Sequence, residues 1–476
     1  MNKVRFGCLL SAAILSSLAG CNLTPDYTKP DAPVSANWPT GTAYKNAAPD
    51  APIASEIPWR QFFADPRLQQ LIEMALNNNR DLRIAALNVE QMRAIYGIQR
   101  AELLPTLDAV GSAGHQRIAA DLSTTGKPMR VEQYSVNLGI LAWEIDFFGR
   151  IRSLKEKALE EYLSSEQARR SAQILLITEV ANAFLALAAD RDGLQLTQST
   201  LQSQKATYDL IQNLCQKGAS SELDLFRAQS RVDAARVDAG LYERLVAQDE
   251  NALSFLVGAV VPDDLLPASL SEVAPSMEIS PGVSSEVLLN RPDILQAEHI
   301  LKAANANIGA ARAAFFPRIA LTSTIGTASD ELSGLFKSGS NTWNFAPQAV
   351  LPVFDARLGP ALEATKAQQK ILQAQYEQSI QRAFKEVADA LAVQGTVEEQ
   401  IVAQQSFVHA VAETYRLSNV RYIGGIESFL SVIDAQRSLY AAEQRLIALR
   451  QTRLANQVVL YAALGGGCDL ADSTEP

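Results

Sequence analysis

The chain is poor in the residues that build metal centres and redox chemistry. It has four cysteines and three histidines. His115, His299 and His409 are isolated, with no His-Glu-x-x-His run beside them. No metal site is read, and each histidine is expected to be solvated or interfacial. The cysteines have no ligand spacing and imply no disulfide framework. A phosphate loop, a nucleophile elbow and a clustered acid–base pair are all missing, which argues against an enzyme and against a bound cofactor. Positive charge is also short: 42 Lys and Arg against 52 Asp and Glu give a net charge of −10, a poor balance for binding nucleic acid.

What the chain has is periodicity. Val180, Leu187, Leu194, Leu201, Tyr208 and Cys215 recur every seven residues, with Ala172, Leu176, Ala183 and Ile211 at the alternate spacing, which is a coiled-coil seam. Between Gly149 and Gly218 only Gly193 reads as a stop. One helix of about 65 residues is therefore expected, roughly 100 Å long. Its apolar stripe is narrow, so its stability must come from neighbouring helices in a bundle or barrel.

The seam recurs as Val387, Gln394, Ile401, Val408, Tyr415 and Tyr422. At the same offset Gly218 pairs with Gly425, Ala228-Gln229 with Ala435-Gln436, and Gly258 with Gly465; a slightly larger offset upstream pairs Asp81 with Asp293, Arg100 with Arg312 and Pro105 with Pro317. The chain is thus a tandem duplication within one elongated body. Its expected divisions are a signal peptide at 1–20, a tether at 21–64, a first repeat at 65–260, a linker at 261–283, a second repeat at 284–467 and a tail at 468–476. Lys3 and Arg5, the apolar run Phe6 to Ala19 and Leu18-Ala19-Gly20 read as a secretory signal too short to cross a bilayer as a helix. Its removal leaves the chain more acidic. The tether is rich in proline.

After Pro105 the period changes to two. Tyr134, Val136, Leu138, Ile140 and Ala142 alternate with Gln133, Ser135, Asn137 and Gly139; in the second half Trp343, Phe345, Ala349, Leu351 and Val353 lie on one side. With partner strands near 106–116 and 318–328, four strands in two hairpins are expected. Four strands cannot close on themselves, so two, three or four copies would be needed to build a barrel. Tyr134, Trp143, Trp343 and Phe345 are candidate membrane-interface aromatics.

Gly218 and Gly424-Gly425 interrupt the long seams, and new helical runs follow over 222–257 and 428–464. Each half therefore holds a helical hairpin. Leu430 and Asp434 are four apart and share a helix face. In a symmetric assembly they become rings, the apolar one excluding water and the acidic one favouring cations.

Leu18-Ala19-Gly20-Cys21 resembles the lipobox of bacterial lipoproteins, which implies an acylated Cys21 as mature N-terminus; Asn22 after it points to the outer membrane. Together with Asn-Asn-Arg-Asp-Leu-Arg (78–83), Asp-Phe-Phe-Gly-Arg (146–150), Arg-Pro-Asp-Ile (291–294), the run 303–317 and Leu-Gly-Gly-Gly (464–467), the chain resembles the TolC family of outer-membrane efflux ducts in its OprM-like lipoprotein branch. The resemblance implies an α+β membrane protein: a homotrimer with a twelve-stranded outer-membrane β-barrel, four strands per chain, continuing into a long periplasmic α-helical coiled-coil barrel. It implies a periplasmic aperture at Asp224, Tyr422 and Asp434, joined here by Arg421 and Leu430. Where the family archetype has a basic residue two after the tip glycine this chain has Glu427, so Arg421 is the candidate replacement, reaching Asp224 or a neighbouring chain. A periplasmic adaptor would dock at Gly218, Ala219, Gly425 and Ile426, with an inner-membrane RND transporter beyond it, and the duct would pass drugs or other toxic small molecules. Two alternatives share these features: a copper or silver efflux duct of the same architecture, and a coiled-coil lipoprotein scaffold without a pore.

Overall fold

Proline and asparagine set the first boundaries of the helical framework. The computed structural model describes residues 22–44, 54, 57–274, 276, 277, 279 and 284–467; Cys21 and Cys468 lie outside them. Helix α1 is Trp59–Phe62 and α2 is Pro66–Asn78. Asp65 caps α2 by accepting from Arg67 N at 2.9 Å, with Pro66 supplying a preset φ in the first turn. Asn79 is extended and ends α2; its side chain accepts from Leu82 N at 2.9 Å and donates to Leu256 O at 2.8 Å. A new helix, α3, then runs Arg80–Ala101. The two helices are separated at the asparagine run because the Asn79 side chain offers the backbone a local partner.

Strands β1 (Asp108–Ile118) and β2 (Met129–Ile145) follow, then α4 (Arg150–Gln216) and α5 (Glu222–Val257). The second half repeats the order with α6 (Pro292–Ala313), β3 (Arg318–Ser329), β4 (Asn341–Val350), α7 (Leu358–Ile423) and α8 (Phe429–Ala463). The chain divides into two compact units, Met1–Asp31 with Asn88–Ser165 and Gln296–Tyr376, and Ala32–Leu87 with Glu166–Leu295 and Glu377–Pro476.

The first unit carries the sheet. Its order is β1-β2-β3-β4, antiparallel throughout, so the two expected hairpins are joined by a β2–β3 ladder into one meander. Register puts Ala109, Leu138, Ile325 and Trp343 in one rung and Ile140, Ser323 and Phe345 in another. That face is apolar. The opposite face is polar, with Ser112 Oγ and Ser135 Oγ 2.8 Å apart and Asn137 Nδ2 donating to Ser135 Oγ at 3.2 Å. Strand β4 ends at Val350, so Leu351 and Val353, expected as strand residues, lie beyond it and are exposed. Residues 22–29 lie along α6: Asn305 Nδ2 donates to Pro25 O at 2.7 Å and Lys29 pairs with Glu298 at 2.8 Å. His299 is not simply solvated, for its Nδ1 lies 2.6 Å from Glu160.

In the second unit the stretch expected as tether ends in core. Trp59, Phe62 and Phe63 are almost wholly buried; Phe62 stacks on Tyr461 at 3.9 Å, and the Tyr461 hydroxyl donates to Ile57 O at 2.6 Å. The expected linker likewise buries Leu265 and Leu270, and Asp192 accepts from Leu270 N at 3.2 Å. Helix α4 passes through Gly193 without a break. A Cβ there would come within 2.3 Å of the Tyr242 ring, so the glycine admits the neighbouring helix rather than stopping its own. Val180 and Leu187 are fully buried as expected, but beyond Gly193 the deepest positions are Thr197, Gln204 and Ile211. Leu194, Leu201 and Tyr208, three residues earlier in each heptad, are half-buried. A coiled-coil seam has two such rows, and here the deeper one is partly polar. Thr197 is accommodated because its hydroxyl donates to Gly193 O at 2.8 Å and lies 2.9 Å from the Tyr440 hydroxyl.

Candidate functional site

Two turns of matching geometry reverse the long helices. After α4, Gly218 has φ +71°, Ala219 N donates to Leu214 O at 2.8 Å, and Gly218 N donates to Cys215 O at 3.0 Å. After α7, Gly425 also has φ +71°, Ile426 N donates to Arg421 O at 2.9 Å, and Gly425 N to Tyr422 O at 2.9 Å. This left-handed closure satisfies the last helical carbonyls and favours glycine. It leaves Gly218, Ala219, Gly425 and Ile426 exposed.

The outgoing helices start differently. Ser221 accepts from Asp224 N at 3.1 Å and donates its hydroxyl to the Asp224 carboxylate at 2.8 Å, a capping arrangement legible as Ser-x-x-Asp. Ser428, its counterpart in the repeat, makes no side-chain cap. Both starts are pinned by one apolar cluster of Ile211, Ala228, Phe429, Val432 and Ile433, against which Tyr208, Leu225, Tyr415 and Tyr422 pack. Tyr422 lies 5.3 Å from the Phe429 ring. Burial and then the nearby Asp224 carboxylate push the Tyr422 hydroxyl pKa up, so it stays a neutral donor.

Leu430 is 45% exposed and Asp434 is exposed on the same side of α8, while Phe429, Val432 and Ile433 point inward. Asp434 lies 3.7 Å from Arg437 and Asp224 lies 3.4 Å from Arg227. Arg421 does not go to Asp224 within the chain; its Nε donates to Glu427 at 2.8 Å. The physical reason is proximity, because both ends of that pair belong to one tight turn, whereas Asp224 is already held by Ser221 and Arg227. Tyr422 and Asp224 are thus brought together, Leu430 and Asp434 share a free face, and Arg421 closes its own hairpin. Phe429, which anchors the site, was not singled out by sequence; its signal is the apolar spacing Phe429, Val432, Ile433.

Higher up the same unit Asp190 on α4 and Asp249 on α5 face each other. Burial, followed by the adjacent Asp190 carboxyl, pushes the Asp249 pKa up to about 6. Among the described residues no group of three or more His, Cys, Asp or Glu is placed to hold a metal.

A single chain made of two helix–hairpin–helix halves, a four-stranded sheet with one apolar face and a pair of closed helical tips defines a class. The family model described as outer membrane efflux protein matches residues 71–259 and 283–466, and the chain belongs to that family. It is 50% identical over 461 residues, 96% of this chain and 95% of theirs, to two proteins of Pseudomonas putida, the antibiotic efflux pump outer membrane protein ArpC and the toluene efflux pump outer membrane protein TtgC. The open state of the Neisseria gonorrhoeae MtrE outer membrane channel superposes with a TM-score of 0.82 at 38% identity, covering 94% of this chain and 99% of that one.

Proposed function

We propose that this protein is the outer-membrane exit duct of a tripartite RND-type efflux pump, passing antibiotics, solvents or similar toxic molecules outward without chemistry of its own. The observation that carries the reading is the sheet. It is apolar on one face and polar on the other, and among the described residues β1 pairs only with β2 and β4 only with β3. Both outer edges therefore need partners, and a lipid-facing wall cannot leave them open. Of the copy numbers that could close the wall, three, giving twelve strands in a homotrimer, is the one that the family resemblance implies.

On this reading the helical tips form the periplasmic aperture. Asp224, Arg421, Tyr422, Leu430 and Asp434 hold or line it, and a periplasmic adaptor docks on Gly218, Ala219, Gly425 and Ile426, connecting the duct to an inner-membrane transporter. Cys21 carries the lipid anchor. Organic cargo is favoured over metal ions by the names of ArpC and TtgC, half of whose residues this chain shares. The test is reconstitution in planar bilayers, where the purified protein should give discrete conductance steps; a scaffold without a pore gives none. A deletion strain should gain sensitivity to antibiotics and toluene rather than to copper or silver. Mass spectrometry of the mature N-terminal peptide should recover acylated Cys21.

A further inference from the structure

Register places Arg117 on β1 directly opposite Arg130 on β2. Directly opposed residues of an antiparallel pair share a face with Cβ atoms about 5 Å apart, and like charges so placed repel. Both side chains are exposed, and neither has an ion-pair or hydrogen-bond partner among the described residues. Alternation puts the pair on the apolar face, in line with Tyr134, Val136 and Leu138. Tyr134 is four residues from Arg130, about 13 Å along the strand. The rung between them holds His115 and Glu132, 3.5 Å apart, with the His115 ring edge-on to Tyr134 at 5.7 Å. Beyond the arginines comes the turn, with Asp121 and Lys127.

From the middle of the sheet toward this turn the face therefore runs apolar, aromatic, mixed, then doubly cationic. A bilayer presents the matching sequence of acyl tails, interface and phosphates. We propose that Arg117 and Arg130 bind the head group of a membrane lipid that carries a phosphomonoester. This rests on the reading of the sheet as an outer-membrane wall. A phosphomonoester bears a charge near −2 and three acceptor oxygens, which suits two side-by-side guanidiniums better than a singly charged diester does. The anion also removes the repulsion that the bare pair carries.

The test uses the full protein in neutral detergent, titrated with bisphosphorylated lipid A and with the same lipid stripped of phosphate, with binding read by native mass spectrometry. Arg117→Gln with Arg130→Gln should lower affinity for the phosphorylated lipid by about tenfold or more, and Arg117→Lys with Arg130→Lys by less. Phosphate-free lipid should bind the native protein no better than the Gln variant, and excess inorganic phosphate should displace little lipid. Equal affinity of native and Gln proteins, or equal binding of both lipids, overturns the proposal; displacement by equimolar inorganic phosphate overturns the lipid as its source. Should the Gln double variant misfold, Arg130→Gln alone decides by the same comparison. Bilayer conductance on the same preparations separates the two readings. A conducting protein with no phosphate preference refutes only the lipid site, whereas an unaltered protein that never conducts refutes the duct.

Discussion

Arg421 Nε donates to the Glu427 carboxylate at 2.8 Å and so staples the second helical turn to itself rather than to its neighbour. The pair is half-exposed, so it contributes only about 0.2–1 kcal/mol. On the proposed reading of the helical tips as a two-state aperture, small energies still move it. Arg421→Ser and Glu427→Gln should each raise single-channel conductance, and the double variant should add little to either. Additive effects would mean that Arg421 acts through another partner.

Asp434 sits one turn beyond Leu430 on the free face of α8. Asp434→Ala should reduce the cation preference of the channel, read as a shift of reversal potential in a salt gradient. Leu430→Ser should raise closed-state leak without changing that preference.

Gly193 tests the packing of the long helices. Gly193→Ala places a methyl group 2.3 Å from the Tyr242 ring, so the helices must part. A loss of about 1–3 kcal/mol is expected, seen as a lower Tm, with partial recovery in Gly193→Ala/Tyr242→Leu.

Asp190 and Asp249 give stability a pH dependence. Both pKa values are raised by burial, that of Asp249 to about 6, from an ordinary value of 3.8. The folded state therefore holds the proton more tightly, and the resulting stability is fully present below 3.8 and lost as pH rises through about 6. Glu250 adds to the repulsion and Arg191, 2.7 Å from it, offsets part. With solvent screening the repulsion, Asp249→Asn should raise Tm at pH 8 by an amount equivalent to about 1–2 kcal/mol and flatten the profile between pH 4 and 7. An unchanged profile would place the titration elsewhere.

The long helices were legible because Val180, Leu187, Val387 and Ile401 keep the seven-residue seam, and all four are buried. The turns were legible because a φ of +71°, as at Gly218 and Gly425, strongly favours glycine. Three things were not. The depth of Thr197 depends on a hydroxyl partner, Tyr440, that is distant in sequence. Burial of Phe62 and Phe63 depends on Tyr461, about 400 residues further along the chain. The preference of Arg421 for Glu427 depends on turn geometry, which spacing does not report. Periodicity records which face of an element is covered, and it is silent about which long-range partner covers it.

The open edges of the four-stranded sheet have a kinetic consequence. A wall whose first and last strands, among the described residues, pair only inward cannot be completed by one molecule, so its closure is not a first-order event. The rate at which finished channels appear should rise more steeply than linearly with the amount of secreted chain. Until then each monomer carries two adhesive borders and an uncovered apolar sheet, so scarcity of chains favours unassembled, protease-sensitive intermediates over smaller but functional pores.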